Sequence, residues 1–403
     1  EPVIAPALSA EIVPMLEQSI PIAPIEPSEY RPALLRLDGD PAFVIRTPDG
    51  AGVRVIGADG SEKLSLGPWT GMIGLEGGQV PLQIFDLNGD GLDEVVLVAE
   101  GQLRVYNGQT GKLLASQDIP EPNAYGECIN DPEWATLNDA ICPVRLSPDA
   151  MGFYLKDRYW NLHLYDAQLE SLWHRPVNTG HYPLPVDVDG DGRDEIMCCH
   201  TLFDVDGNIV WSTELHDHVD SHMLESLDGQ EPVFTLMSGE EGVVQLSPTT
   251  GAVLKQFKLG HAQGCIIGEF CPEIPGKQIL LETLWCESWI QYVLDGDLKE
   301  LARWEHVFAV EGVQPYALPW GDRDLMVVGD GIYDPMTGVR FVEPGAWATD
   351  EKLLGQWVVD WPGSGASRIV QLRPDRIDVF APATDCVRRS TTLNHYSSGY
   401  LPR

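Results

Sequence analysis

Two segments of the chain repeat one grammar. Asp86-Leu87-Asn88-Gly89-Asp90-Gly91-Leu92-Asp93-Glu94 runs into Val95-Val96-Leu97-Val98, and Asp187-Val188-Asp189-Gly190-Asp191-Gly192-Arg193-Asp194-Glu195 runs into Ile196-Met197-Cys198-Cys199. Each follows a short apolar stretch, Leu82-Gln83-Ile84-Phe85 or Tyr182-Pro183-Leu184-Pro185-Val186. The order is strand, acidic glycine-rich turn, buried strand, then hairpin. Weaker copies run from Leu34 to Val55, Ala140 to Trp173, His218 to Phe257, His261 to Trp304, Val313 to Val342 and Gly355 to Thr392. Together they make eight units of about 45 to 50 residues, the repeat length of four-stranded propeller blades. Helical spacing is confined to Ile12–Gln18, ahead of a proline-rich stretch. The sequence therefore predicts an all-β fold, a β-propeller of seven or eight four-stranded blades, with residues 1–29 an extended N-terminal segment and residues 30–403 one propeller domain. Seven blades would result if a terminal unit were completed by a strand from the other end. A β-helix is the runner-up, although its rungs would be shorter.

Composition narrows the partners. Lys and Arg number 26 against 61 Asp and Glu, a formal net charge of −35. Nucleic-acid binding needs cationic surface to replace phosphate counterions, and anionic lipid needs the same, so neither partner is expected. No run of about 18 apolar residues occurs, so membrane insertion is not expected either. A hydrophobic content of 43%, with 12 Trp, 12 Tyr and 10 Phe, is enough for a packed core. The chain opens on Glu1-Pro2-Val3, as after a removed signal peptide or from a start chosen in cloning. A secreted or periplasmic monomer is the expectation. Cys128 and Cys142 flank a polar segment where a disulfide is compatible with export, although spacing does not fix connectivity.

The acidic turns put oxygen ligands at alternate positions, with glycines supplying the tight bends. Such hard donors suit calcium. The expected ligands are Asp86, Asn88, Asp90 and Asp93 in one loop and Asp187, Asp189, Asp191 and Asp194 in the other. The Leu92 and Arg193 carbonyls would add to them, with Glu94 and Glu195 behind. An EF-hand is excluded, because the twelfth-position Glu and the flanking helices are missing. Ions in such turns are expected to be structural.

Chemistry concentrates elsewhere. Leu155-Lys156-Asp157-Arg158-Tyr159-Trp160 joins two cations to an aromatic pair, and Asn178-Thr179-Gly180-His181-Tyr182-Pro183 follows about twenty residues on. His216-Asp217-His218-Val219-Asp220-Ser221-His222 is dense in potential ligands. If that segment is a strand, alternation places His218, Asp220 and His222 on one face, where His261 or Cys265 would complete a site for zinc or another transition metal. Trp173, Trp211 and Trp304 recur near repeat ends and are expected to pack between blades, while Trp285 and Trp289 are candidates for stacking on sugar.

The segments LKDRYWN…NTGHYPLPVDVDGDGRDEI and GHAQGCIIGEFCPEIPGKQI resemble the propeller-fold polysaccharide lyases, a group that includes rhamnogalacturonan, ulvan and rhamnosyl-glucuronate lyases and shares FG-GAP-type repeats. The resemblance covers residues 80 to 392. Two full acidic loops, and Cys265, Cys271 and Cys286 in one unit, lean it towards the ulvan-lyase-like branch. It implies β-elimination on a uronate-containing polysaccharide, and it makes a structural zinc relevant to the His cluster. The reaction needs the carboxylate neutralised, the C5 proton removed and the leaving oxygen protonated. On that reading His181 is the base, and Lys156 and Arg158 neutralise the carboxylate with His200 as a second candidate. Tyr159 or Tyr182 donates the proton. A non-catalytic binding propeller is the second reading. A glycoside hydrolase, with Asp157 and Glu282 as carboxylates, is the third.

Overall fold

The computed structural model describes residues 14–22, 33–37, 40–46, 52–69, 82–120, 138–229, 231–283, 290–305, 315–328, 331–342, 353–361 and 367–381. Every regular element among them is a strand, and the strands form eight four-stranded antiparallel sheets. The fold is a β-propeller with eight blades.

Blade 1 comprises Ala33–Leu37, Asp40–Arg46, Val53–Gly57 and Glu62–Leu66, and blade 2 comprises Leu82–Phe85, Glu94–Ala99, Gln102–Asn107 and Leu113–Asp118. Blade 3 is Asn138–Ser147, Ala150–Asp157, Asn161–Asp166 and Ser171–Pro176, and blade 4 is Leu184–Val186, Glu195–Cys198, Thr201–Phe203 and Ile209–Ser212. Blade 5 holds Ser221–Glu225, Val233–Met237, Val243–Leu246 and Val253–Phe257, and blade 6 holds Ala262–Gly268, Gln278–Thr283, Ile290–Leu294 and Glu300–Glu305. Blade 7 is Tyr316–Trp320, Arg323–Val328, Gly331–Tyr333 and Arg340–Val342. Blade 8 joins Gly355–Asp360, Ser367–Leu372 and Arg376–Ala381 to Met15–Pro21, so the first strand of the chain completes the last sheet. The sequence allowed a short helix at Ile12–Gln18. From Met15 onward that segment is strand instead, because pairing with Arg376–Ala381 and burial of Ile20 outweigh a weak helical preference.

The chain divides into two compact units. One is made chiefly of Ser28–His222 and carries blades 1 to 4; the other is made chiefly of Met223–Pro248 and Ala252–Ser397 with Glu1–Pro27, and carries the rest. In each unit the apolar faces of successive blades close on one another. Leu35, Val44 and Val55 of blade 1 pack with Ile84, Val95 and Leu97 of blade 2, and Ile266, Leu280 and Val293 of blade 6 pack with Ala317 and Met326 of blade 7. Outer strands are wet: Leu113–Asp118 and Val253–Phe257 are mostly exposed.

A second contact repeats along the seams. Trp173, on the outer strand of blade 3, lies over Gly207 in the next blade's hairpin and donates its Nε1–H to the Val205 carbonyl at 2.9 Å. Trp304 lies over Gly338 in the same way and donates to the Pro335 carbonyl, and Trp211 covers Gly251. The expected packing of these tryptophans between blades is what the structure has. Gly207 sits at φ +79°, and a Cβ there would stand 2.8 Å from the Trp173 Cγ. Only glycine meets both demands.

Blade topology separates two kinds of loop. In an up-and-down antiparallel sheet, the turn between strands one and two lies at one end. The turn between strands two and three, and the link to the next blade, lie at the other. Both acidic turns are of the first kind. The Arg158–Trp160 turn, the Val177–Pro183 link and the Thr213–Asp220 link are all of the second.

Candidate functional site

The acidic turns wrap their oxygens around backbone amides. Asp86 Oδ1 accepts Gly89 N–H at 2.8 Å and Oδ2 accepts Gly91 N–H at 2.8 Å; Asp187 repeats this with Gly190 at 2.7 Å and Gly192 at 3.0 Å. Asn88, Asp90, Asp189 and Asp191 each accept the amide two residues on. The ninth residue turns back into the loop: Glu94 accepts from Leu87 N–H and Asn88 Nδ2, and Glu195 accepts from Val188 N–H. Burial, aided by Asp90 and Asp86, pushes the Glu94 carboxyl up to about 7, and burial raises Glu195 beside Asp189, Asp191 and Asp187. Oxygens of Asp187, Asp189 and Glu195 lie within 4.8 Å of one another. This crowding of oxygens on a glycine-shaped turn fits a hard cation.

Asp93 and Asp194, expected among the ligands, face away. Asp194 accepts the Arg145 backbone N–H at 2.7 Å and its guanidinium at 3.2 Å, while its own N–H donates to the Arg145 carbonyl. The Asp93 carboxylate likewise accepts from Arg36, at 2.8 Å from the amide and 3.0 Å from Nε. Each therefore ties its loop to the first strand of the preceding blade. Blade 7 has the equivalent: Asp324 accepts the Glu269 amide at 2.8 Å and donates its own to the Glu269 carbonyl. The physical reason is alternation. In an extended segment the eighth and ninth residues point to opposite sides, so one of Asp and Glu serves the loop and the other serves the seam.

The Arg158–Trp160 turn is held on all sides. Buried Asp157 accepts the amides of Tyr159, Trp160 and Asn161 at 3.2, 2.6 and 2.8 Å. The turn's carbonyls accept in return: Arg158 from Lys156 Nζ and Thr179 Oγ1 at 3.2 Å each, Tyr159 from Thr179 N–H, and Trp160 from Val177 N–H. Lys156 is fully buried beneath this turn. Arg158 and Tyr159 are half-buried on top, with the guanidinium 5.7 Å from the Tyr159 ring centre.

Tyr159 stands edge-on to two imidazoles, His181 at 5.6 Å and His218 at 6.0 Å between ring centres. His181 comes from the blade 3–4 link, pinned by its amide to the Val219 carbonyl at 2.9 Å. Its Nε2 faces Asp220 Oδ1 at 3.4 Å, and His218 Nε2 faces Asp220 Oδ2 at 3.4 Å. His218 Nδ1 meets Asp217 at 2.7 Å. Burial, with Arg158, His218 and Lys156, drives His181 down to about 3 despite Asp220. Burial also pulls on His218, but Asp220 and Asp217 overcome it and hold the ring up to about 9. The site thus pairs a neutral imidazole with a charged one across a fully buried carboxylate. His181, His218 and Asp220 also offer three ligand atoms within 4.8 Å.

The expected strand face of His218, Asp220 and His222 does not form. The strand begins at Ser221, so His218 and Asp220 belong to the link before it. His222 is turned away: Nδ1 lies 2.8 Å from the Tyr182 carbonyl and Nε2 3.0 Å from the Cys199 carbonyl. Burial lowers the ring to about 4, outweighing the backbone carbonyls that face both nitrogens and favour the charged ring, so the neutral ring donates to one carbonyl at a time. His181 takes the place in the cluster that sequence alternation gave to His222. His261 lies buried before the first strand of blade 6, in the other unit. His200 is buried against Cys199 Sγ at 3.6 Å, and burial lowers it to about 4. Tyr182 is buried, with its ring tilted beside His181 at 6.2 Å. Asp217, the orienting partner of His218, was visible only as one of several ligand types in its segment. Cys128, Trp285, Cys286 and Trp289 lie outside the described residues.

No family model matches the chain. Rhamnogalacturonan endolyase YesW of Bacillus subtilis (strain 168) is 23% identical over 253 residues, which is 49% of this chain and 40% of that protein. The match therefore covers less than half of the curated relative's length. The crystal structure of rhamnogalacturonan lyase YesW superposes with a TM-score of 0.70 at 15% identity, over 96% of this chain and 78% of that one. The V. cholerae biofilm matrix protein Bap1 superposes with a TM-score of 0.63 at 12% identity, over 97% of this chain and 96% of that one.

Proposed function

We propose that this protein is a polysaccharide lyase that cleaves a rhamnose–uronate chain of rhamnogalacturonan type by β-elimination. The observation that carries the reading is the meeting of Arg158, Tyr159 and the His181–Asp220–His218 group at one end of blades 3 and 4. The likeness to rhamnogalacturonan lyases in sequence and fold supports it.

In this reading each group has one role. Arg158 meets the uronate carboxylate and lowers the cost of charge developing at C5. His181 with Nε2–H directed at Asp220 presents Nδ1 as base, and takes the C5 proton. The electron pair left behind forms the C4–C5 double bond as the C4–O bond breaks. Tyr159 gives its hydroxyl proton to the departing oxygen. Asp217 and Asp220 hold His218 charged beside them, and Lys156 adds its charge from beneath. Export belongs to the same proposal, because long polysaccharide chains do not cross a membrane unaided.

Two ions belong to the proposal. Calcium fits the acidic turns through Asp86, Asn88, Asp90 and Glu94, and through Asp187, Asp189, Asp191 and Glu195, at the end of the blades away from the His cluster. It would act there as a structural brace. A transition metal such as zinc fits His181, His218 and Asp220, because Asp217 on the far nitrogen of His218 is the outer partner such ligands use. When bound it would neutralise the carboxylate, and Tyr159 would be the remaining group able to move a proton.

The fold alone also suits a glycan-binding propeller, since a biofilm matrix protein shares it over almost its whole length. The hydrolase reading loses Asp157, whose carboxylate is committed to three amides. The deciding experiment is a panel of rhamnogalacturonan I, ulvan and other uronate polysaccharides followed by ultraviolet absorbance, with metal analysis and with chelator. Unsaturated product from wild type, lost in His181→Ala, supports the lyase. Saturable binding without product selects the binding propeller, and reducing ends without absorbance select a hydrolase.

A further inference from the structure

Behind the Arg158–Trp160 turn runs a second line of polar groups that the reaction does not use. Asn161 opens the next strand and donates Nδ2–H to Asp157 Oδ2. Its Oδ1 lies 2.9 Å from His174 Nε2, on the neighbouring outer strand. The His174 ring is stacked on His163, with ring centres 4.2 Å apart and planes within 8°. His163 is buried, and its Nδ1 has no hydrogen-bond partner among the described residues, so the stack fixes ring planes rather than extending a polar network. The other oxygen of Asp157 receives the three amides of the turn.

The chain of donors has one consistent direction. An ionised Asp157 only accepts, so Asn161 must present its NH2 to it and its oxygen to His174. His174 must then donate from Nε2. Reversing the amide would set two oxygens against each other inside the fold. We infer that His174 and Asn161 are positioning residues: by fixing the Asn161 amide they lock Asp157, and Asp157 sets the turn that holds Tyr159 against His181 and His218. The inference rests on the lyase reading for its effect on rate, but its structural half stands on the hydrogen bonds alone.

Three variants test it. His174→Phe keeps a flat ring on His163 and removes the donor. His174→Gln returns an N–H donor, and Asn161→Ala removes the link. Amide exchange at Tyr159, Trp160 and Asn161 reports the turn without reference to activity, and nitrogen NMR reports the His174 tautomer. We expect an Nε2–H tautomer in wild type. His174→Phe and Asn161→Ala should speed exchange at the three amides about tenfold, because their acceptor is no longer fixed. In the lyase assay kcat should fall about ten- to a hundredfold with KM nearly constant, the penalty of a misplaced reacting group. His174→Gln should recover most of both. An Nδ1–H tautomer, or wild-type exchange in His174→Phe, overturns the inference, and so does a loss of kcat without faster exchange. Should Asn161→Ala fail to fold, His174→Phe decides. Should wild type cleave none of the polysaccharides, the lyase reading falls, while the exchange and tautomer results still judge the positioning chain.

Discussion

Replacing Asp194 and Glu195 one at a time separates two jobs that lie in adjacent residues. Asp194 is buried, and it accepts the Arg145 amide at 2.7 Å and the guanidinium at 3.2 Å. In Asp194→Ala the Arg145 N–H loses its acceptor, which costs about 1–3 kcal/mol. The Arg145 side chain is 38% exposed, so the lost ion pair adds less than about 1 kcal/mol. The total is about 1–4 kcal/mol, or roughly 2–16 °C in the midpoint of a cooperative unit of about 200 residues. This loss should be the same with calcium or with chelator. Glu195→Gln should behave oppositely. It removes an oxygen charge from the Asp187, Asp189 and Glu195 group, so it should erase the stabilisation that calcium gives, about 2.7 kcal/mol at a hundredfold excess over Kd, and change little in chelator. Thermal melts of the three proteins, with calcium and with chelator, read both effects. If Asp194→Ala abolishes the calcium increment while Glu195→Gln keeps it, the division of labour is wrong and Asp194 is the ligand.

Other perturbations reach different parts of the fold. Burial holds the Glu282 carboxyl up at about 7 against the pull of Gln291, so its folded value exceeds the ordinary 4.5. Stability from this group is full below about 4.5 and is lost as pH rises through 7, by up to about 3 kcal/mol, and Glu282→Gln should flatten urea midpoints across pH 5 to 8. An unchanged pH slope would remove Glu282 as its source. Gly207→Ala forces a Cβ to 2.8 Å from Trp173 at a positive φ. It should cost about 2–5 kcal/mol and change Trp fluorescence, whereas a wild-type melt would mean that the seam yields freely.

The repeats, both acidic turns and the seam tryptophans were legible because their signals are local: glycine at bends, alternating acids, an aromatic at a fixed place in each unit. What alternation hid was direction. Asp93 and Asp194 looked like ligands because they sit in line with Asp90 and Asp191. A clue existed in Trp320-Gly321-Asp322-Arg323-Asp324, where a unit without the full acidic turn still keeps Asp324, as a seam residue would be kept. His222 offered no such clue. Its partners are carbonyls of Tyr182 and Cys199, brought near by folding and carrying no side-chain signature. The Lys156–Tyr159 segment stood out by its residue types, but those types could not show that Lys156 lies under the turn and Asp157 inside it.

Charge poses the last question, since the substrate proposed for a chain of net −35 is itself a polyanion. Two effects of salt oppose each other. Long-range repulsion between the protein and a uronate chain acts over many ångströms and is screened once the Debye length falls to about 10 Å at 0.1 M. In the proposed function a substrate carboxylate would meet Arg158, which lies over Tyr159 and above buried Lys156; that contact would be short-range and partly shielded from water, so it would resist the same salt. Repulsion should therefore be relieved first. KM for the polysaccharide should fall as ionic strength rises from about 0.01 to 0.1 M, then climb as the Arg158 contact is screened in turn. Arg158→Gln should keep the first limb and lose most of the second, because the repulsion is global and the attraction is not. A KM that rises steadily from the lowest salt would show that attraction reaches beyond this pocket, and one cationic contact in a negative field would no longer describe how the chain meets its substrate.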